Sequence, residues 1–416
     1  MILFLCILSI FLVTVIIVHQ KLVSPEEVKV TSLVAIIYFF MSVGPSIAYL
    51  LGDRIYFGIR VDKMDEALLV SVLGLSALFM ANALYLSLRG SAVPASYRFV
   101  PGDNVIRITG AVLLGTSLIM FTLMLLNLHK FNLDKVSKVQ SVAFIHYKLM
   151  LLWMAAFVVY FANKWEVDRV LLISFGVFTA YCMLFSERDF VFILLAMLFV
   201  HLKSRILNQR LFLFGVPGAM LLTKLTAGRG EIFEGSTISA FFNQGSNLFV
   251  NSFVIELVEE KGYPLQWGKT YLSSLLDSIS FGKLRLDEPL AEWLVGEYTG
   301  NPDAAAGYGF SLEAEAFLNF GYPGVFMLYF LLGLVLVHAS QKALSGDYLA
   351  RLHVMWALIF MIYGLRGESL NIMKPYIYCW VIILLARILA PMFKKPQVVV
   401  EAFQPYRPML PRRLQP

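Results

Sequence analysis

Between Gly307 and Gly324 the chain reads GYGFSLEAEAFLNFGYPG, which sets two carboxylates, an asparagine and several glycines immediately before an apolar run. A carboxylate at the edge of a membrane is expensive to hold, so a pair of them points first to a site. On a helix over 311–320, Ser311, Glu315 and Asn319 fall at i, i+4 and i+8 and share one polar stripe. Glu313 points roughly the opposite way, so the two acids do not form a simple acid/base dyad on one face. Two readings stay open. The acids cap the N-terminus of the following span, where negative charge is favoured, or at least one faces a polar cavity. Gly321, Pro323 and Gly324 are expected to kink or break the chain where the apolar run begins.

A second constellation consists of arginines in three loops: Arg188 in SERD, Arg229 in GRGE and Arg366 in RGE. A guanidinium keeps its charge and matches phosphate oxygens in bidentate geometry, so converging arginines suit a phosphate or diphosphate ligand. Each has a plainer role open to it, because an Arg at a membrane edge also snorkels to headgroups or pairs with a neighbouring acid. Glu187, Asp189, Glu231 and Glu368 are such neighbours, and Glu368 is also a candidate substrate-binding residue. No Walker A loop, HExxH, GxSxG elbow or D-x-D cluster is present, so neither ATP nor a metal-held nucleotide sugar is expected, and no cofactor or metal is implied.

The elements that must position these residues are membrane helices. The chain has 416 residues, 59% hydrophobic and 15% charged, with a mean hydropathy of +0.73, which excludes an ordinary soluble domain. Apolar runs recur near 2–18, 31–51, 66–88, 108–128, 142–162, 170–185, 190–202, 211–223, 315–337, 352–365 and 375–393. Backbone groups in lipid must be satisfied within their own element, so these runs predict an all-α polytopic bundle of about 11 (10–12) transmembrane helices. The first run lacks a basic n-region and a cleavage site and reads as a retained anchor. The segment 170–202, interrupted at Ser186–Asp189, is expected to be a tight hairpin or a broken helix.

The expected organisation is a transmembrane bundle over 1–223, a large outer loop over 224–306, a second bundle over 307–393 and a cytoplasmic tail over 394–416. The loops assigned with the tail to the inside hold about twice as many Lys and Arg as the short loops outside, in keeping with the positive-inside rule. Within the outer loop, 239–258 and 263–280 read as helices with one apolar face, suited to lying on the membrane surface. Cys6, Cys182 and Cys379 all fall inside apolar runs and offer no disulfide or zinc spacing. The net charge of +6 is dispersed over loops, which argues against nucleic acid.

With these residues in view, the chain resembles the Wzy-type oligosaccharide repeat-unit polymerases of O-antigen and capsule assembly. The resemblance rests on the GFSLEAEAFLNFGYPG block, the arginine in TAGRGE, the SLLDSI stretch and the RGE after the penultimate span, and it covers mainly 180–380. It implies a GT-C-like glycosyltransferase, metal-independent, in the bacterial inner membrane with its active site facing the periplasm. The growing glycan on undecaprenyl diphosphate would be transferred to the non-reducing end of a new lipid-linked repeat. Arg229, Arg366 and Arg188 would then bind the diphosphate, Glu315, with Glu313 second, would be the general base, and Ser311 and Asn319 would hold sugar hydroxyls. Membrane lipid and a chain-length regulator protein would be further partners. An O-antigen ligase, or a flippase of lipid-linked oligosaccharide, is the alternative.

Overall fold

The computed structural model of the chain describes residues 1–23, 30–52, 61–89, 103–130, 138, 140, 142, 145–187, 189–201, 242, 247–301, 309–343, 346–361 and 364–393. The described chain is helical. It begins with α1 (Ile2–Val23), α2 (Val30–Leu50), α3 (Met64–Arg89) and α4 (Asp103–Asn127). There follow α5 (His146–Lys164), α6 (Arg169–Leu184), α7 (Phe190–His201), α8 (Asn247–Glu259), α9 (Lys269–Ile279) and α10 (Leu290–Thr299). The C-terminal part holds α11 (Leu312–Ala343), α12 (Tyr348–Met361) and α13 (Leu370–Leu389).

Among the described residues six helices are long and apolar enough to cross a membrane: α1, α2, α3, α4, α11 and α13, the last extended to Met392. Three further apolar segments among the described residues, Arg169–Leu184, Phe190–Val200 and Tyr348–Met361, are shorter. The run expected at 142–162 appears as α5, whereas 211–223 lies outside the described residues, as do 224–241 and the tail from 394. The protein is thus a multi-pass membrane protein built of helices. The segment 170–202 is broken. Ser186 takes a left-handed φ of 58° and Glu187 N returns to Cys182 O at 2.8 Å, which ends α6 before α7 begins.

Side-chain contacts sort the helix termini into two ends. Toward one, Gln20 Nε2 donates to Asn82 Oδ1 at 2.9 Å, Asn104 Nδ2 to Ala390 O at 3.2 Å, and the Arg351 guanidinium lies 5.1 Å over the Trp165 ring. Toward the other, Ser42 and Ser71 meet Glu313, and the start of α5 meets the end of α6 through His146 and Tyr181 at 2.9 Å. Between the ends Trp153 stacks on Phe178 with centroids 4.0 Å apart, and its Nε1 donates to Ser117 at 2.8 Å.

One expectation about the outer loop is corrected. Helix α8 does not lie on a surface: it is buried on nearly every side, packed against α3 and α11. The residues that imitate a solvated face in the sequence are tied into the bundle instead. Asn247 Nδ2 donates to Ser42 Oγ and to Leu365 O, and Ser252 Oγ accepts from Lys63 N at 3.0 Å. Helix α9 is amphipathic as expected, with Thr270, Ser273, Ser274, Asp277 and Ser278 buried.

Candidate functional site

The block that opened the sequence analysis is a short helix over 312–320, separated from the rest of α11 by a break. Gly321 has φ 64° and ψ −156°, a conformation outside the helical region that suits only glycine. Pro323 follows, and the bend brings Gly324 so near the earlier turn that a Cβ there would lie 2.5 Å from Ala316 O. The carbonyls left open by the break find donors in the segment before α9. Gln266 N donates to Leu318 O at 3.0 Å and Trp267 N to Asn319 O at 3.1 Å. Gly268 N donates to Asn319 Oδ1 at 2.8 Å.

The two glutamates leave this helix in different directions, as their spacing requires. Glu313 points into the bundle and is fully buried. Its carboxylate accepts from Ser42 Oγ at 2.6 Å, from Ser71 Oγ at 3.0 Å and from Asn251 Nδ2. Glu315 points toward α9 and the turn before α13, and it too is fully buried. It accepts from Thr270 Oγ1 at 2.8 Å, from Ser369 N at 2.5 Å and from Ser369 Oγ at 2.7 Å. Asn319 completes this group, donating to Thr270 Oγ1 at 2.7 Å and to Glu315 O at 2.8 Å.

Ser311 departs from the expected stripe. The helix begins at Leu312, so Ser311 sits at its entrance, where its Oγ accepts from Ala314 N at 3.3 Å and donates to Asn251 Oδ1 at 2.8 Å. It therefore belongs with Glu313, and only Asn319 remains with Glu315.

On the far side of Thr270 and Ser274 lies a shallow cleft, open to solvent, with a cavity volume of about 30 Å³. Its walls are the polar face of α9, the return segment Arg285–Leu290, and Glu368 with Leu370. Glu368 Oε2 accepts from Leu290 N at 2.7 Å. Burial pushes its carboxyl up to about 7, helped by the charges of Glu315 and Glu292 and opposed by the Leu290 N–H and Arg285. Asp277, at the cleft wall, accepts from Lys374 Nζ at 2.8 Å and from Arg285 Nε. Burial raises this carboxyl, but the two cations outweigh it and hold Asp277 below its ordinary value. Among the described residues no group of His, Cys, Asp and Glu gathers in a form that could hold a metal ion.

The chain thus brings Glu315, Asn319 and Glu368 to one place, with Ser369 as the link between the two acids. Arg366 lies in the same turn, two residues before Glu368, and is partly exposed. Arg188 and Arg229 lie outside the described residues. Sequence reasoning missed Thr270, Ser274, Ser369, Asn251, Asp277, Arg285 and Lys374. One signal for them was available: Thr270, Ser273, Ser274, Asp277 and Ser278 recur at helical spacing and mark a polar face as clearly as the apolar residues mark the other.

No curated protein and no solved structure was found to match the chain. The α9 face, the short helix at 312–320, the 364–369 turn and the start of α13 all fall inside one matched region, since the family model for the O-antigen polysaccharide polymerase Wzy matches residues 227–397.

Proposed function

We propose that this protein polymerises O-antigen or capsular repeat units, using the cleft between α9 and the 364–370 turn to hold the acceptor sugar. The observation that carries the reading is the coincidence of the Wzy family match with every element that builds the cleft. The cleft's lining residues include hydroxyls and carboxylates, groups of the kind that pair with a sugar's own hydroxyls.

In this reading the growing glycan arrives on undecaprenyl diphosphate at the periplasmic face of the inner membrane, and the enzyme is a GT-C-like, metal-independent glycosyltransferase. The acceptor hydroxyl attacks the anomeric carbon of the donor, and its proton passes to a carboxylate. The new C–O bond forms as the bond to the diphosphate breaks, and undecaprenyl diphosphate leaves with its electron pair. Glu368 is the better placed proton acceptor. It lines the cleft, and a carboxyl near 7 is matched to work at neutral pH. Glu315, with both oxygens occupied and no exposed surface, supports the site by joining α9 to the Glu368 turn. Glu313 anchors the short helix to the bundle. Arg366 neighbours Glu368, and Arg229 and Arg188 would complete the diphosphate clamp that stabilises the leaving group.

Deleting the gene and separating the surface glycan on a gel tests this. Core carrying a single repeat, restored to a ladder by the wild-type gene, is the expected result. An unchanged ladder would overturn the reading, and uncapped core would favour a ligase or a flippase instead.

A further inference from the structure

Helix α9 turns its polar face inward and its apolar face outward. Leu272, Leu275 and Ile279 are 50%, 40% and 58% exposed, and the apolar surface continues through Phe281, Leu284 and Leu286 beyond it and Trp267 before it. Such a surface demands an apolar neighbour. The contacts of α9 indicate which one. Ser274 Oγ lies 2.9 Å from Ser369 Oγ, Asp277 Oδ1 lies 2.8 Å from Lys374 Nζ, and the Phe281 ring lies 5.4 Å from that of Tyr378. Residue numbers climb together in both segments, so α9 runs side by side with the first turns of α13, a candidate membrane span. Further along α13, Leu385 stands on the same face as Tyr378, two turns on, and is exposed together with Trp380, Leu384 and Ile388. The apolar side of α9 therefore continues directly into the exposed apolar face of a span.

We propose that the hairpin from Trp267 to Leu286 is inserted in the bilayer leaflet at the cleft end of the bundle, its apolar side in contact with phospholipid acyl chains. Over 267–288, the hairpin with the two residues after it, Lys269, Lys283 and Arg285 are balanced by Asp277, Asp287 and Glu288, so burial of apolar surface holds the hairpin there and attraction to anionic headgroups does not. One consequence rests on the polymerase reading above: the cleft, on the opposite side of α9, lies at headgroup depth, and a substrate with a lipid tail reaches it by lateral diffusion.

The test uses the full chain in phosphatidylcholine vesicles. The three native cysteines are all buried, so Ile279→Cys or Leu275→Cys gives a single site for an environment-sensitive fluorophore, and Lys261→Cys gives a water-facing control. Expected are blue-shifted emission at 279 and 275 and quenching by spin-labelled acyl chains at least about twofold stronger than at 261. Added phosphatidylglycerol or salt should leave this unchanged. Quenching by aqueous iodide as strong as at the control position would overturn the insertion. So would self-quenching between labels that grows with the protein-to-lipid ratio, which would put a second copy on this face, or protection that appears only when a polyprenyl phosphate is added. No glycan synthesis is read, so this result and the gel assay fail independently.

Discussion

Replacing Glu368 by Gln should make the protein more stable and inactive at once. The carboxyl has an ordinary value of 4.5 and is pushed up to about 7 in the fold, by burial first and by the charges of Glu315 and Glu292 after it. Between those two values the unfolded chain releases the proton and the folded chain keeps it, so the native state binds more protons than the unfolded state. Stability therefore falls as pH rises from 4.5 to about 7 and is level above that. At 1.36 kcal/mol per pH unit the full loss is about 3 kcal/mol. Gln is always neutral and keeps an oxygen for the Leu290 N–H, so Glu368→Gln should recover about 2–3 kcal/mol at pH 8 and nothing at pH 4. Thermal melts of both proteins in the same detergent at the two pH values measure this. Activity moves the other way. A general base contributes about 10²–10⁴-fold, so the variant should yield single repeats only, while the wild-type rate climbs with pH through about 7. A variant that still makes a full ladder would refute the assignment of the base. A variant less stable than wild type at pH 8 would refute the account of burial from which the assignment starts.

Glu315→Ala strands the Ser369 N–H and the Thr270 and Ser369 hydroxyls and should cost about 3–5 kcal/mol in melts. Glu315→Gln can turn its oxygen to the Ser369 N–H and its amide to the hydroxyls, so it should lose only about 1–2 kcal/mol and retain measurable polymer. A complete loss of polymer in a well-folded Glu315→Gln protein would return Glu315 to the role of base. Gly321→Ala forces a side chain onto φ 64°, ψ −156° and should destabilise by about 1–3 kcal/mol, seen as a lower melting temperature. Arg366→Ala and Arg229→Ala should abolish long chains while membrane insertion persists, with Arg188→Ala alongside them and Arg→Lys in between. Normal ladders from the alanine variants would sink the diphosphate clamp.

Hydropathy alone located the six described helices that are long and apolar enough to span, because a lipid-spanning segment carries its signal in about twenty successive residues. The break at Gly321–Pro323 was equally legible, since both residue types have fixed backbone consequences. What failed was the meaning of polar residues inside apolar helices. Asn247, Asn251 and Ser252 look like a wet face, yet they bond across to Ser42, Ser311 and Lys63 N, partners at least sixty residues away in the chain. Asp277 and Lys374, with |i−j| of 97, carry no local sign that they meet. Ser369 could not be chosen from RGES either, because a serine gains a role only from the carboxylate opposite it. Ser311 was misplaced by a single residue: one step outside the helix it obeys cap geometry, and the i, i+4 rule no longer applies.

The pairing of Glu313 with Glu315 gains its sense from the break that follows them. A helix of nine residues cannot stand alone and must be fixed at both faces. Two acids at i and i+2 provide opposed attachments, one to α2, α3 and α8 and the other to α9 and the 369 turn. The hydrogen bonds to both come from neutral hydroxyl, amide and backbone donors. Each attachment therefore depends on several oriented dipoles at once, and losing one leaves a buried carboxylate under-satisfied. That makes the joint stiff. Glu368 is one residue from the Glu315 attachment, and its turn is tied to α9 through the Ser369–Ser274 hydroxyl pair and to the return segment through the Leu290 N–H. A proton acceptor held within hydrogen-bond reach of a mobile, lipid-tethered sugar needs such a frame. In the reading proposed above, the acids that first attracted attention serve the chemistry by fixing in place a third acid beside them.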